Sequence, residues 1–200
     1  MRKKTSAASI ELLLAMALLA FGASAMASPV GDDVLAHGVR DGDAPAWAVA
    51  VASPPGWTRD CCTYAKAIGV DAVLYQGEWT GKPERVMVLN TWPRKLATLA
   101  DELVADRKQY LQRDPRGWAT DLTIGNPHMP CAGVLYQGSD HIDDAVVFCD
   151  PGAASGIRLS WSMSFADGDP MQRPLLDAFM KVATDARYER YVEPKKHSLP

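Results

Sequence analysis

The sequence predicts an α+β fold: an antiparallel β-sheet of about six to seven strands layered with two main α-helices. Three observations carry this. Ile157 to Phe165 alternates apolar and polar residues without a break, and side chains on a strand alternate between faces, so five large apolar groups share one face. Strand-like runs separated by Gly-rich turns recur through the chain, as at residues 71–90 and 133–148. The period changes to that of a helix in two places, after Pro93 and again after Pro170.

The N-terminus stands apart from this pattern. Met1-Arg2-Lys3-Lys4 is a basic start, Leu12 to Phe21 an apolar run too short to span a bilayer comfortably, and Ala25-Met26-Ala27 an A-x-A cleavage pattern. Residues 1–27 therefore read as a signal peptide, with Ser28 as the mature N-terminus. Its removal takes three of the 21 basic and one of the 24 acidic side chains, leaving a net charge near −5. That balance argues against a general nucleic-acid binder, which needs a basic face. No later apolar segment is long enough to cross a membrane, and the remaining length suits one domain with one core. The expected location is the periplasm, or outside the cell.

Residues 28–45, rich in Gly and Asp, read as a flexible lead-in, and a single α+β domain is expected over 46–188. Ala46 to Ala52 is the first strand, with Trp47, Val49 and Val51 on one face and alanines on the other. Pro54-Pro55-Gly56-Trp57 ends it. Cys61 to Ile68 is ambiguous and fits a short strand. Asp71–Gln76 and Arg85–Asn90 form a hairpin around residues 77–83. Leu96, Leu99, Leu103, Tyr110 and Leu111, with Ala100 and Val104 beside them, then share a helical face, with Thr91 as a candidate cap and Asp114-Pro115 as the stop. Trp118–Ile124 is a further strand, and Gly133–Gln137 and Asp144–Phe148 make a second hairpin. Val-Leu-Tyr-Gln-Gly occurs at 73–77 and at 134–138, but five residues do not establish a repeat. After the Ile157–Phe165 strand, Leu175, Phe179, Val182 and Ala186 form the stripe of the last helix. Residues 189–200 read as a flexible tail.

An exported chain meets an oxidising compartment, so the four cysteines favour disulfides. Placing Cys131 opposite Cys149 sets Gly133 against Val147, Leu135 against Ala145 and Gln137 against Asp143, with a short turn near Asp140; directly opposed strand residues are close enough to bridge. The pairing of Cys61 and Cys62 stays open, either with each other or with the later pair. His128-x-x-Cys131, Met129, His141 and Cys61-Cys62 include metal-binding residue types, but the spacing fits no standard site and disulfides would consume the thiolates. No metal and no cofactor is expected. There is no G-x-S-x-G, Walker or G-x-G-x-x-G motif, and Asp143-Asp144, Asp167 and Asp169 read as turn formers. No catalytic residue is assigned.

Two features are candidate contact sites. Trp79 lies in a predicted turn near Tyr75, where an exposed indole would suit a protein contact. The polar face of the central strand carries Arg158, Ser160, Ser162 and Ser164. Open to solvent it would be a flat partner surface; under another element its serines would permit close approach.

The Ala46–Ala52 strand running into Pro54-Pro55-Gly56-Trp57 resembles the entry of the PsbP-like superfamily, which includes periplasmic DcrB-like proteins. The resemblance spans about residues 45–190, mostly as element order. It implies an antiparallel sheet layered with helices and a non-enzymatic binding or assembly role. The adjacent cysteines and the lack of a lipid-attachment cysteine depart from the DcrB-like pattern. The expected function is thus a non-enzymatic exported protein that binds another protein of the bacterial envelope. Alternatives are a periplasmic immunity protein that neutralises a delivered toxin and an envelope hydrolase or metal-binding protein.

Overall fold

The computed structural model describes residues 34–42, 44–80 and 85–192. The signal peptide and the last residues of the expected tail lie outside them.

The order is strand β1 (Val34–Gly38), β2 (Trp47–Ala50), β3 (Thr58–Asp60), helix α1 (Tyr64–Ala67), β4 (Ala72–Gln76), β5 (Arg85–Pro93), α2 (Leu99–Arg113), β6 (Trp118–Leu122), β7 (Cys131–Gln137), β8 (Ile142–Cys149), β9 (Ile157–Ala166), α3 (Gln172–Asp185) and β10 (Arg187–Arg190). Seven strands form one antiparallel sheet in the order β3-β4-β5-β9-β8-β7-β6, and β1-β2-β10 form a second, smaller one. This is the α+β fold the sequence predicts, with α2 and α3 as the main helices.

The strand singled out by its alternation, β9, runs through the middle of the large sheet, paired with β5 on one side and β8 on the other. Its Ile157, Leu159, Trp161, Met163 and Phe165 are buried on what is here called the first face. The partners in register on β5 and β8, Met87, Leu89, Ala145 and Val147, continue that face. The small sheet adds Leu35, Trp47 and Val49, Val51 follows just after β2, and α3 adds Leu175, Phe179, Val182 and Ala183, all in one core cluster. Alternation of period 2 on the sheet and of period 3.6 on α3 thus meet in one core.

Four local expectations are corrected. The segment read as a lead-in contains β1, and the tail begins with a strand: β1 and β10 pair with the two edges of β2. Each gives an apolar strand a hydrogen-bonding partner that local periodicity does not reveal. In the Cys61–Ile68 region, β3 precedes the cysteines and a single helical turn follows them. The Asp60 carboxylate accepts the N–H groups of Tyr64 (2.7 Å) and Ala65 (2.8 Å), which starts the turn. Finally, α2 begins later than Pro93. β5 extends to Pro93 against Ile157, and the cap is Thr98, whose hydroxyl accepts from the Asp101 N–H while the Asp101 carboxylate accepts from the Thr98 N–H. Thr91, the expected cap, is a strand residue bound to Asp71.

Pro54-Pro55-Gly56-Trp57 is a turn closed by the Trp57 N–H on the Pro54 carbonyl (3.0 Å). Gly56 has φ +78°, the value the third position of a type II turn requires and glycine adopts without penalty. The turn delivers Trp57 into the main core.

Candidate functional site

The opposite, second face of the large sheet is covered unevenly. At one end α1 packs on β4: Ala65 is buried with Val73 and Tyr75. Tyr64 stacks on Trp79 (ring centroids 4.7 Å apart, 16° between planes), and Tyr75 meets both edge-on at 5.9 and 5.3 Å. Towards the other end α2 lies on β7 and β8, where Tyr110 stacks on Tyr136 at 4.1 Å. The Tyr136 hydroxyl donates to Asp106 (2.5 Å). Burial, then this bond to a carboxylate, push the Tyr136 phenol well above its usual range, so it stays a neutral donor.

Between these two covers runs a strip from β5, β9 and β8. Val86, Val88 and Asn90 of β5, Ser162 of β9 and Val146 of β8 are half-buried, and Ser164 is exposed. The register sets Val88 and Val146 on either side of Ser162. The Ser164 hydroxyl donates to Asp144. The strip offers apolar surface with hydroxyl groups between, framed along one side by the Tyr64/Trp79 pair. Its valines also pack at their margins, Val86 and Val88 against the Ala65/Val73/Tyr75 cluster and Val146 against the Tyr110/Tyr136 cluster.

One end of the strip is closed by a buried ion cluster. Arg158 is 0% exposed. Its Nη2 donates weakly to the carbonyls of Leu96 (3.4 Å) and Ala97 (3.3 Å) in the β5–α2 connection. Its Nη1 pairs with Asp150, and its Nε lies 3.5 Å from Glu102 on α2. Asp150 also pairs with Arg94 at 3.2 Å. Burial works against the Asp150 carboxylate, yet the Gly152 N–H and the two guanidiniums outweigh it and hold its pKa below the usual value. Burial dominates at Glu102 and raises its pKa, with Arg158 offsetting only part. Two cations and two anions balance, and the cluster ties the start of α2 to the central strand.

This alters the reading of the predicted contact residues. Arg158 has no solvent-facing surface, because α2 and its approach lie over it. Ser160, 8% exposed, sits between Asn90 and Phe148, whose ring meets Trp92 edge-on; its small side chain admits close packing there. Both leave the candidate contact surface. Ser162 remains on the strip, and Trp79 frames it. Sequence reasoning passed over Val86, Val88 and Val146. The signal was present: β5 is apolar on both faces, Val86/Val88 opposite Met87/Leu89.

Cys131 is joined to Cys149, its partner in register, with Cα atoms 4.1 Å apart, and Cys61 is joined to Cys62. The bonded thiols leave His128 and His141 without cysteine co-ligands. Among the described residues no group of three or more His, Cys, Asp or Glu is placed to hold a metal ion, and no helix is long and apolar enough to cross a membrane.

The fold and strip define a class, an α+β protein with an antiparallel sheet partly open on one face. No protein-family model matches the chain, and no curated protein does. Among solved structures it is similar to cyanobacterial PsbP (CyanoP) from Synechocystis sp. PCC 6803, with 14% identity over 82% of this chain and 96% of that one and a TM-score of 0.45. No residue role passes to this chain through that likeness.

Proposed function

We propose that this chain is a non-enzymatic exported protein that binds another protein of the cell envelope, in the periplasm, and that the strip between α1 and α2 is its contact surface. The observation behind this reading is the strip itself. Val86, Val88 and Val146 keep apolar area partly in water near the centre of the sheet, beside small hydroxyl side chains and a stacked aromatic pair. Contact surfaces combine apolar area with aromatic anchors in this way. The basic start, apolar run and small-residue cleavage pattern support export. So does the pairing of all four cysteines.

The test compares tagged protein with its Ser164→Trp and Trp79→Ala variants in affinity capture from an envelope fraction. A partner bound directly by the wild type and weakened about tenfold or more by both changes supports the reading. A partner held equally by all three removes the strip from the interface. A purified protein that turns over a substrate while capturing nothing removes the binding role. N-terminal sequencing of secreted protein is expected to begin at Ser28; an intact Met1 in exported protein would overturn the cleaved signal peptide.

A further inference from the structure

The large sheet ends in two different edges. The β3 edge is three residues long, carries Arg59 and Asp60, and runs directly into the Cys61–Cys62 pair and α1. Short length and charge are how natural sheets guard an edge. The β6 edge has no such guard. It spans five residues without lysine, proline or register break, and its only charge, Asp121, is paired with Arg107 of α2. Alternate residues of an edge strand direct N–H and C=O away from the sheet, a template for a further strand. Trp118, 57% exposed, lies on this edge, and Val104, 69% exposed, faces out from the helix beside it. A hollow of about 210 Å³ lined by Ala100, Leu103, Val104, Arg107 and Asp121 lies between α2 and β6.

We propose that β6 is a homodimer interface, where two copies pair antiparallel about a two-fold axis centred on Thr120. The pattern of the strand is complementary to itself in that register. Trp118, Thr120 and Leu122 share the first face, as their partners through the sheet show. Centring on Thr120 sets each Trp118 opposite the Leu122 of the second copy, a cross-strand aromatic–aliphatic pair made twice by symmetry. On the second face each Asp121 falls opposite Ala119. No like charges oppose one another, and the small alanine leaves room for the Arg107 of either copy to reach Asp121. The absence of opposed like charges and the self-complementary pattern of all five residues single out a second copy, rather than an unrelated strand, as the occupant.

The experiment is sedimentation equilibrium of the purified protein over a wide concentration range, with Thr120→Lys, Thr120→Cys and, as a control on the guarded edge, Thr58→Lys. Thr120 is exposed, so these changes leave the fold intact, checked by thermal melts. The expected mass is about twice that of one chain. Thr120→Lys places two ammonium groups across the axis and is expected to weaken the dimer at least about tenfold, while Thr58→Lys leaves it unchanged. Thr120→Cys should form an intermolecular disulfide on the axis. A single-chain mass at every concentration overturns the proposal, including where the edge instead captures an extended peptide or is covered by another segment of the chain. So does a dimer indifferent to Thr120→Lys, or one that Thr120→Cys fails to cross-link.

Discussion

The two faces of the large sheet are built from the same strands and have opposite characters. The first is continuous along the central strand: every inward residue of β9 from Ile157 to Phe165 is buried, against the small sheet and α3. The second is divided into an aromatic end, a strip open in part, and a region under α2 that joins the Tyr110/Tyr136 cluster to a buried ion cluster. Apolar alternation is enough to specify the first face. The second is specified by single interactions, each tied to a particular cover: Asp60 starting α1, Thr98 and Asp101 starting α2, and Arg158 fixing the approach to α2. A face held in this way can leave part of itself open without weakening the core beneath.

The sharpest way to break this contrast is through the ion cluster. Asp150→Asn leaves Arg158 wholly buried with Glu102 as its remaining anionic partner and the Leu96 and Ala97 carbonyls as weak acceptors. Stability is expected to fall by about 3–5 kcal/mol, as for a buried pair deprived of one partner. Arg158→Met should cost less, about 1–3 kcal/mol, because Asp150 keeps Arg94 and the Gly152 N–H while Glu102 can take up a proton. Equal costs would show that packing, not charge, holds this end. The pH dependence carries opposite signs for the two carboxylates. Asp150 has a lowered pKa in the fold, so its contribution is present above its unfolded value, near the ordinary 3.8, and is lost as pH falls through the folded value. Glu102 has a raised pKa, so its contribution is present below its unfolded value, near the ordinary 4.5, and is lost as pH rises through the folded one. Melting curves from pH 3 to pH 8 should therefore show Asp150→Asn flattening the acid limb, with Glu102→Gln neutral or stabilising at pH 7. A Glu102→Gln variant destabilised at pH 7 would contradict the assigned balance.

The same contrast governs what was legible in the sequence. The large sheet, the Cys131/Cys149 register and the last helix could be read because each rests on periodicity extended over many residues. The edges of β2 could not: Val34–Gly38 and Arg187–Arg190 are short, and their pairing joins the two ends of the described chain. Of the helical face expected from Leu96, Leu99, Leu103, Tyr110 and Leu111, with Ala100 and Val104 beside it, Tyr110 is buried with Leu103 and Leu111 packed near it. Leu96, Ala100 and Val104 are exposed, and Glu102 is buried in addition. Burial of a glutamate depends on an arginine 56 residues away along the chain, and no local window contains it. The contact strip was half visible. Ser162 and Trp79 pointed to it, but the cover over Arg158 and Ser160 is a tertiary fact.

The disulfides sharpen the comparison at the next level of effect. Cys131–Cys149 closes a loop with a sequence separation of 18, and in the chain-entropy model such a closure stabilises by about 3 kcal/mol. Cys61–Cys62 has a separation of 1 and constrains almost no chain, so its removal by paired serine substitution should shift the denaturation midpoint far less. Comparable losses from both double-serine variants would mean that Cys61–Cys62 organises the β3–α1 end beyond its own loop.

The smallest expected effect is on the strip, and its smallness is informative. Ser164 is exposed and binds only Asp144, a surface contact worth little. Ser164→Trp should thus change stability by no more than about 0.5 kcal/mol, as at ordinary surface positions. Ser162, half-buried between Val88 and Val146, has less room, and Ser162→Trp should cost about 1–3 kcal/mol if its neighbours must move apart. The pair separates two reasons for small residues on β9. If both tryptophans are tolerated, the serines do not serve packing and the strip is open along its whole length. If both destabilise alike, the buried part of this face extends further along β9 than Ser160, and the exposed surface shrinks to the margin beside Trp79. The expected gradient, severe for Asp150→Asn in the ion cluster, moderate for Ser162→Trp and slight for Ser164→Trp, would place the boundary of the cover between Ser160 and Ser162. Equilibrium denaturation of these variants maps that boundary without any knowledge of the partner.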